Sequence, residues 1–288
     1  MPSRLLLVDA HCLVYRAFYA ITGLATAAGK PTNAVFGFIK TLKAMERFWR
    51  PSHCLVVFDG GLPAERLALL STYKAQRPAM PTALREQLPL IGAWLDAGKI
   101  AHVRLEGQEA DDVAASVAVQ AAAQGLDVLI ASSDKDLFQL VSPSIAMILP
   151  GKVEEKYGPP EVVAKLGIRP DQVVDFLALT GDSSDNIPGV PGIGAKTAAK
   201  LLQQWQSLAN ALEHAAQIEP EKVRRALSEH RELLERNQAM LRLQTSIDCG
   251  LLLEALRVRP PDVPRLLALY QELEFHSLAK ALQEPALF

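Results

Sequence analysis

The sequence has little cysteine: Cys12, Cys54 and Cys249 lie far apart among 288 residues and form no Cys-x-x-Cys pair. Such an odd, dispersed set excludes a disulfide framework and a cysteine zinc site, and it is typical of a reducing cytosol. Long apolar runs are also absent, since none approaches the roughly 18 residues of a membrane span. The apolar run before Asp9 is too short for a secretory signal. We therefore expect a cytoplasmic protein without a membrane partner.

The sequence also lacks an excess of positive charge. Its 30 Lys and Arg residues face 32 Asp and Glu residues, giving a formal net charge of −2 and a pI of about 6.3. Taken alone, this balance argues against a general nucleic-acid-binding protein, for which a basic domain is typical. Hydrophobic residues make up 49% of the chain, which excludes disorder and allows a sizeable core in one large domain or two modest ones.

Short apolar runs alternate with helical stretches in the first half of the chain. The strand candidates lie at 4–9, 54–59 and 127–134, with weaker ones at 100–105 and 145–149. Helical spacing covers 33–49 and 109–124. Because buried runs separated by helices are typical of parallel strands, the pattern predicts an α/β fold with a mainly parallel central sheet flanked by helices.

Helical patterns dominate the second half, on both sides of a Gly- and Pro-rich stretch. Helices are predicted at 159–181, 195–205, 207–216, 220–246 and 262–283. We expect two parts, an α/β core at 1–158 and a helical part at 159–288. No low-complexity linker separates them, so the two parts should pack together.

Three of the predicted strands end in an aspartate, namely Asp9, Asp59 and Asp134. A single such residue is most simply a helix N-cap. Three from three strands converge on the edge of an α/β sheet where ligands bind, and N-capping does not explain that convergence.

Six further acids follow in short clusters. They are Glu109, Asp111 and Asp112 at the start of a helix, Asp136 beside Asp134, and Asp182 with Asp185 before the Gly-rich stretch. The helix dipole favours acids in a first turn, yet like charges three residues apart repel. Packed together, the nine carboxylates would need cations. Oxygen ligands without His or Cys indicate two Mg²⁺ or Mn²⁺ ions, the usual apparatus for hydrolysing phosphodiesters.

The stretch 189–197 (GVPGIGAKT) partly matches a nucleotide-binding P-loop. Ala195 is inserted before Lys196 and no predicted strand precedes the stretch, so both features count against an NTPase. A helix-hairpin-helix at about 172–205 fits better, because small residues let backbone N–H groups approach a DNA phosphate. An ordinary helix–helix turn is the simpler alternative.

Basic residues occur in the long connection at 60–90 and after the hairpin. They are Arg66, Lys74, Arg77 and Arg85 in the connection, and Lys196, Lys200, Arg224 and Arg225 further on. Scattered bases are often only a solvated surface, but a long connection leaving the Asp59 strand end should overhang the acids. Lys74 and Arg77 are then candidates to stabilise charge on a scissile phosphate, and Tyr73 to stack on an unpaired base.

These motifs resemble the 5′-nuclease (flap endonuclease) superfamily, and most closely the 5′→3′ exonuclease domain of bacterial DNA polymerase I. The matching segments are LLVDAHCLVYRAF, VVFDG, TYKAQRPAMP, EGQEADDVA, SSDKDLFQLV and FLALTGDSSDNIPGVPGIGAKTAAKLL, and the resemblance continues to YQELEFHSLAKAL. It implies a PIN-like, resolvase-like core, a helical arch at about 60–90 and a helix-hairpin-helix. Ala10 and Glu65 depart from the family pattern, and the second departure puts the packing of the arch in doubt.

The resemblance also implies roles for individual residues. The first metal would lie among Asp9, Asp59, Glu109, Asp111, Asp112 and Asp134, and the second among Asp136, Asp182, Asp185 and a share of Asp111. Lys74 and Arg77 would be the active-site bases, with Asp111 and Asp134 central to catalysis. Contacts with DNA would come from Arg66, Tyr73, Lys74, Gly189, Val190, Gly192, Ile193, Gly194, Lys196, Thr197 and Lys200. Backbone carbonyls of Gly189 to Gly194 would hold K⁺.

We therefore expect a structure-specific 5′→3′ exonuclease or flap endonuclease that cleaves DNA at 5′ ends or junctions by a two-metal-ion mechanism. It would be a monomer, with a separate DNA polymerase as a functional partner. A non-catalytic junction-binding protein of the same fold and a ribonuclease are the alternatives. The complete set of acids argues against the first, and the hairpin against the second.

Overall fold

The computed structural model describes residues 3–283. Its main sheet has six strands in the order β3-β2-β1-β4-β5-β6, of which the first five are parallel and β6 is antiparallel. The strands are β1 (Arg4–Asp9), β2 (His53–Phe58), β3 (Ala101–Arg104), β4 (Asp127–Ala131), β5 (Ile145–Ile148) and β6 (Lys156–Tyr157). The predicted parallel α/β sheet is confirmed, including both weaker strands.

Helices cover both faces of this sheet. They are α1 (Ala10–Ala20), α2 (Asn33–Trp49), α3 (Ala64–Leu69), α4 (Thr82–Arg85), α5 (Leu88–Gly98) and α6 (Ala110–Ala123). The central strand β1 shows why the strand runs are apolar throughout. Alternation sends Leu5 and Leu7 into one core and Leu6 and Val8 into the other, and all four are fully buried.

The second half of the chain is helical, as predicted, but its helices are shorter. They are α7 (Pro159–Leu166), α8 (Val173–Thr180), α9 (Ala195–Trp205), α10 (Leu208–Glu213), α11 (Glu221–Glu229), α12 (Arg231–Leu241), α13 (Val263–Glu272) and α14 (His276–Gln283). The predicted helix at 159–181 breaks at Gly167, which has a left-handed φ of 73°, and a 3-10 turn at Pro170–Gln172 precedes α8. Similarly, 220–246 divides at His230, and 262–283 divides at Glu274.

The last two helices pack on the α/β core. Leu266, Tyr270, Leu273 and Phe275 belong to the same buried cluster as β1, α1, α2 and α5. The Trp94 indole Nε1 donates to the Tyr270 hydroxyl at 2.9 Å. The division of the chain at 158 and 159 stays a prediction, but within the structure α13 and α14 complete the N-terminal core. Between residues 3 and 283, none of the helices combines the length and apolar character needed to cross a membrane.

Candidate active site

The carboxyl edge of the sheet opens into a cavity of about 590 Å³. Asp9 at the end of β1, Asp59 after β2, Asp111 in α6 and Asp134 after β4 all line it. Asp9 is also the N-cap of α1, because its Oδ1 accepts the Cys12 N–H at 3.0 Å. The N-cap role and the convergence at the sheet edge are therefore both present.

Burial and mutual repulsion disfavour ionisation of these acids. Burial, followed by the charges of Asp134 and Asp9, raises the pKa of Asp111 well above its ordinary range. Burial also raises the pKa of Asp9 and of Asp134, although hydrogen bonds to each carboxylate act in the opposite direction. Such a group of carboxyls favours bound cations.

A second cluster lies beside the first. Single carboxylate oxygens of Asp136, Asp182 and Asp185 lie within 4.8 Å of one another, and all three residues are buried. Burial, with the charges of Asp134 and Asp182, raises the pKa of Asp136 well above its usual value. Its Oδ1 is buried and accepts no hydrogen bond among residues 3–283. An all-oxygen donor set with one unsatisfied oxygen fits a hard divalent cation.

Basic side chains partly neutralise the second cluster. Lys135 Nζ lies 3.0 Å from Asp182 Oδ1, and Arg77 Nη2 donates to Asp185 Oδ1 at 2.5 Å. Burial alone would raise the pKa of Asp182, but hydrogen bonds from Ser184 and Lys135 bring it below its ordinary value. Sequence reasoning assigned no role to Lys135, although its place between Asp134 and Asp136 was a visible signal.

Lys74 joins Glu109 to Asp185 of the second cluster. It forms a short ion pair with Glu109, and its Nζ lies 3.5 Å from Asp185 Oδ2. Burial would raise the pKa of Glu109, yet Lys74 and Arg66 together lower it. Lys74 has a left-handed backbone, with φ of 54°, which is strained for a residue with a side chain. Lys74 and Arg77 both line the cavity, where the sequence predicted bases.

The structure buries two of the residues that the sequence predicts to contact DNA. Tyr73 is only 4% exposed, and its hydroxyl donates to Glu109 and Asp185, so no ring face is available to an unpaired base. Arg66 is 7% exposed and is held by Glu109 and Asp112. The sequence alone did not indicate this burial, because the acidic partners of both residues lie far away in the chain.

The segment predicted as a helical arch, at 60–90, contains the first residues of α5 and otherwise only two short helices, α3 and α4. Between them the chain turns down onto residues 183–186. The Lys74 N–H donates to the Asp185 carbonyl at 3.0 Å, and the Asn186 side chain donates to the Thr72 carbonyl at 2.8 Å. Pro78 and Pro81 further oppose a continuous helix.

Seven acids line the cavity or form the second cluster, whereas Glu109 and Asp112 do neither. Both are buried, at 1% and 0% exposure, against Arg66. The structure therefore brings seven of the nine predicted acids to the cavity and the adjacent cluster, and holds the other two within ion pairs.

The Gly-rich stretch connects two packed helices, α8 and α9, which is consistent with the predicted helix-hairpin-helix. A short antiparallel pair, β7 (Gly181–Asp182) and β8 (Ile187–Pro188), precedes it instead of a strand of the main sheet. A Cβ on Gly189 would lie 2.3 Å from the carbonyl carbon of Thr180, so only glycine fits there. The arrangement agrees with the prediction that the stretch is not a P-loop.

The hairpin presents backbone outwards and anchors its apolar side chains inwards. Val190 and Ile193 are only 3% and 4% exposed, so side-chain contacts of these two residues with DNA are excluded in this conformation. Gly192 and Gly194 are exposed, as are Lys196 and Lys200, while Thr197 is half-buried. Lys222, which sequence reasoning missed, lies over Gly192, since a Cβ there would meet its Cε at 3.4 Å.

A mainly parallel sheet with carboxylates at its carboxyl edge, followed by a helical second half, is a 5′-nuclease fold. Solved structures share this fold: zinc-bound T5 5′-exonuclease matches with a TM-score of 0.70 at 23% identity, covering 97% of this chain and 98% of that one. The catalytic core of Rad2 in complex with DNA matches with a TM-score of 0.66 at 14% identity, covering 98% and 91%.

Two family models match consecutive parts of the chain. The 5′-3′ exonuclease N-terminal resolvase-like domain covers residues 4–167, and the 5′-3′ exonuclease C-terminal SAM fold covers 168–264. The 5′-3′ exonuclease of Aquifex aeolicus is 37% identical over 97% of this chain and 95% of its own length. The chain therefore belongs to the 5′-3′ exonuclease family.

Longer proteins contain the same region. Thermostable DNA polymerase I of Thermus filiformis is 40% identical over 96% of this chain. The chain spans about a third of the length of this polymerase, at 33%.

Proposed function

We propose that this chain is a divalent-cation-dependent 5′→3′ exonuclease and flap endonuclease that hydrolyses DNA phosphodiester bonds at 5′ ends and single-strand/duplex junctions. The observation that carries the proposal is the convergence of carboxylates from β1, β2, α6, β4 and the 181–188 turn beside one cavity. The relative from Aquifex aeolicus, similar over nearly its whole length, is itself named a 5′-3′ exonuclease.

We assign two Mg²⁺ or Mn²⁺ ions to the carboxylates that the cavity exposes. Asp9, Asp59, Asp111 and Asp134 would hold the first, and Asp136, Asp182 and Asp185 the second. When bound, the ions neutralise the charge of the phosphodiester and lower the pKa of water at the site. The unsatisfied Asp136 oxygen supports the second site. Backbone carbonyls at 189–194 are the proposed K⁺ ligands.

Lys74 and Arg77 carry the proposed role in stabilising the reacting phosphate. Both now neutralise Asp185 and its neighbours, and both line the cavity. If cations occupied the acids, Lys74 and Arg77 would be free of these ion pairs and could bind a phosphate in the cavity that they already line. Their charges would then oppose the negative charge that develops on the phosphate during cleavage.

The hairpin and the start of α9 are the proposed contact with the duplex. Gly194, the N-cap of α9, is exposed, so the positive end of the dipole of that helix lies at the surface. Lys196, Lys200 and Lys222 add charge around this backbone. Such a surface binds phosphates irrespective of base sequence.

We also propose that the protein works as a cytoplasmic monomer alongside a separate DNA polymerase. Its three cysteines are free thiols, which fits a reducing compartment. The similarity to part of DNA polymerase I supports a shared pathway of DNA synthesis.

Asp134→Asn tests the proposed site, with Asp127→Asn at the opposite end of β4 as its matched control. On a 5′-labelled flap duplex with Mg²⁺, we expect Asp134→Asn to lose nearly all cleavage and Asp127→Asn to retain it. EDTA should abolish wild-type cleavage. Unchanged cleavage by Asp134→Asn would contradict the site, binding without product in wild type would favour a junction-binding protein, and preferred cleavage of an RNA flap would favour a ribonuclease.

A further inference from the structure

The guanidinium of Arg66, in α3, is buried and donates from all three nitrogens. Its Nη1 and Nη2 grip Asp112 at 2.7 and 2.9 Å, and Nη1 also contacts Glu109. Its Nε donates to the Met240 carbonyl at 3.0 Å, and Nη2 reaches the Arg242 carbonyl at 3.4 Å. Arg66 thus joins the start of the 60–90 segment to α6 and to the end of α12.

Asp112 is the acidic partner in this arrangement, and it is fully buried. Besides the two bonds from Arg66, its Oδ1 accepts the Gln244 N–H at 2.9 Å. A bidentate guanidinium and a backbone amide occupy both oxygens. The neighbouring Asp111 lines the cavity instead, because successive residues of a helix point about 100° apart.

The end of α12 is itself tied to the hairpin. Asn237, in α12, is fully buried, and its Nδ2 donates to the carbonyls of Ala178 in α8 and Pro188 in β8. A continuous set of contacts therefore runs from the hairpin through α12 to Arg66. Eight residues after Arg66, the chain delivers Lys74 to the acids.

We propose that Arg66 and Asp112 are positioning residues, a buried clamp that fixes the 60–90 segment relative to the metal-binding carboxylates and the hairpin. In this assignment Asp112 is not a metal ligand and Arg66 is not a DNA contact. The clamp holds Tyr73 and Lys74 against Glu109 and Asp185. The proposal rests on the proposed nuclease function for its kinetic consequence, but its structural consequences are independent of that function.

Metal binding distinguishes a positioning residue from a ligand. We expect Asp112→Asn to bind Mn²⁺, measured by isothermal titration calorimetry without DNA, with the stoichiometry of wild type and an affinity within about threefold of it. Asp111→Asn should weaken Mn²⁺ binding by about 10- to 100-fold or more. Equal loss in the two variants would make Asp112 a ligand and overturn the proposal.

Proteolysis tests the position of the segment directly. We expect Arg66→Met to be cut by trypsin after Lys74 about tenfold faster than wild type, because the segment loses its anchor; the Arg77–Pro78 bond resists trypsin in every variant. Arg85→Met, an exposed change in α4, is the matched control and should leave that rate unchanged. Equal rates in Arg66→Met and wild type would overturn the clamp.

Arg66→Met leaves the buried Asp112 without a cationic partner and Glu109 with Lys74 alone, so folding must be measured alongside. The double variant Arg66→Met/Asp112→Asn removes a charge from each side, and we expect it to regain thermal stability relative to Arg66→Met while the fast tryptic cleavage persists. If the double variant is folded and its segment is protected, the clamp is disproved.

Kinetics then separates this proposal from the proposed function. On flap DNA, Asp112→Asn should lower kcat by about 10- to 100-fold with KM little changed, as for residues that orient catalytic groups. A wild-type protein that cleaves nothing would contradict the nuclease function, while the proteolysis and Mn²⁺ measurements would still decide the clamp.

Discussion

Asp136 carries an oxygen that is buried and accepts no hydrogen bond within the described chain. Its carboxyl also faces those of Asp182 and Asp185, so that burial and like charge act together. Both effects cost free energy in the metal-free protein. A divalent cation relieves both, since it supplies a ligand bond and the opposite charge at one point.

We therefore expect Mg²⁺ or Mn²⁺ to raise the thermal unfolding midpoint. At a metal concentration of 100 Kd, one site adds about 2.7 kcal/mol to the unfolding free energy, or roughly 5–10 °C in Tm for a chain of this size. Calorimetry on Asp136→Asn should show most of that rise lost, whereas Asp127→Asn should keep it. A full rise in Asp136→Asn would place the stabilising ion elsewhere.

Lys74 and Arg77 give the second prediction at this scale. Lys74→Ala and Arg77→Ala should each lower kcat on flap DNA by about 10²- to 10³-fold, because each removes a charge that opposes the developing charge on the phosphate. Arg85→Ala, in the same segment, should retain wild-type kinetics. Single-turnover rates at saturating protein provide the measurement. An effect confined to KM would mean that these bases only bind the ground state.

Single residues also mark what the sequence can and cannot reveal. Asp9 and Asp59 were predictable because each directly follows an apolar strand run. The burial of Tyr73 and Arg66 was not predictable because their partners are remote in sequence, with Asp185 lying 112 residues beyond Tyr73. Neighbouring acids such as Asp111 and Asp112 look alike in the sequence, and only the helix orientation separates them.

Among the elements, the hairpin is the one whose shape depends most directly on glycine. Gly181 and Gly189 face each other so closely that a Cβ on either would lie 2.3 Å from backbone atoms. Gly194, five residues further on, has open space around its Cβ position. Close packing therefore requires glycine at positions 181 and 189, whereas position 194 has room for a larger side chain.

This contrast predicts different results for two small substitutions. Gly189→Ala should destabilise the protein by about 1–3 kcal/mol or more, because backbone must move to admit the methyl group. Gly194→Ala should leave the unfolding free energy within about 0.5 kcal/mol of wild type. Urea unfolding followed by circular dichroism distinguishes them. Equal stability of both variants would mean that the hairpin can open without cost.

Secondary structure was predictable where the local residue pattern determines it, and the predictions failed where contacts between distant residues or a change in backbone conformation determine it. The apolar runs gave all five parallel strands, while the long helical stretches concealed breaks at Gly167 and Glu274, where φ is positive. The segment at 60–90 is the strongest case. Its composition permits helix, but its bonds to 183–186 hold it in turns.

For the whole molecule, the near-zero net charge is the sum of two regions of opposite charge. The acids are concentrated at the carboxyl edge of the sheet, and exposed lysines surround the hairpin. If the nine acids predicted for the site are set aside, the remaining 30 bases exceed the remaining acids by seven. The overall pI of about 6.3 is therefore a poor guide to how the protein meets DNA.

The salt dependence of DNA binding measures how much the basic residues contribute to affinity. Five phosphate contacts, from Lys74, Arg77, Lys196, Lys200 and Lys222, would release counterions and give a slope of about −4.5 for log K against log salt on duplex DNA. Lys222→Ala should reduce that slope by about 1 and weaken binding equally on unrelated sequences. Lys43→Ala, on α2 and paired with Glu46, is the control and should leave the slope unchanged.

The binding constant K can be measured by fluorescence anisotropy, with Ca²⁺ in place of Mg²⁺, at salt concentrations from about 50 to 200 mM, where phosphate contacts change the affinity strongly. A flat dependence in wild type would mean that the dispersed lysines do not contact the backbone, and that the net charge described the protein correctly after all.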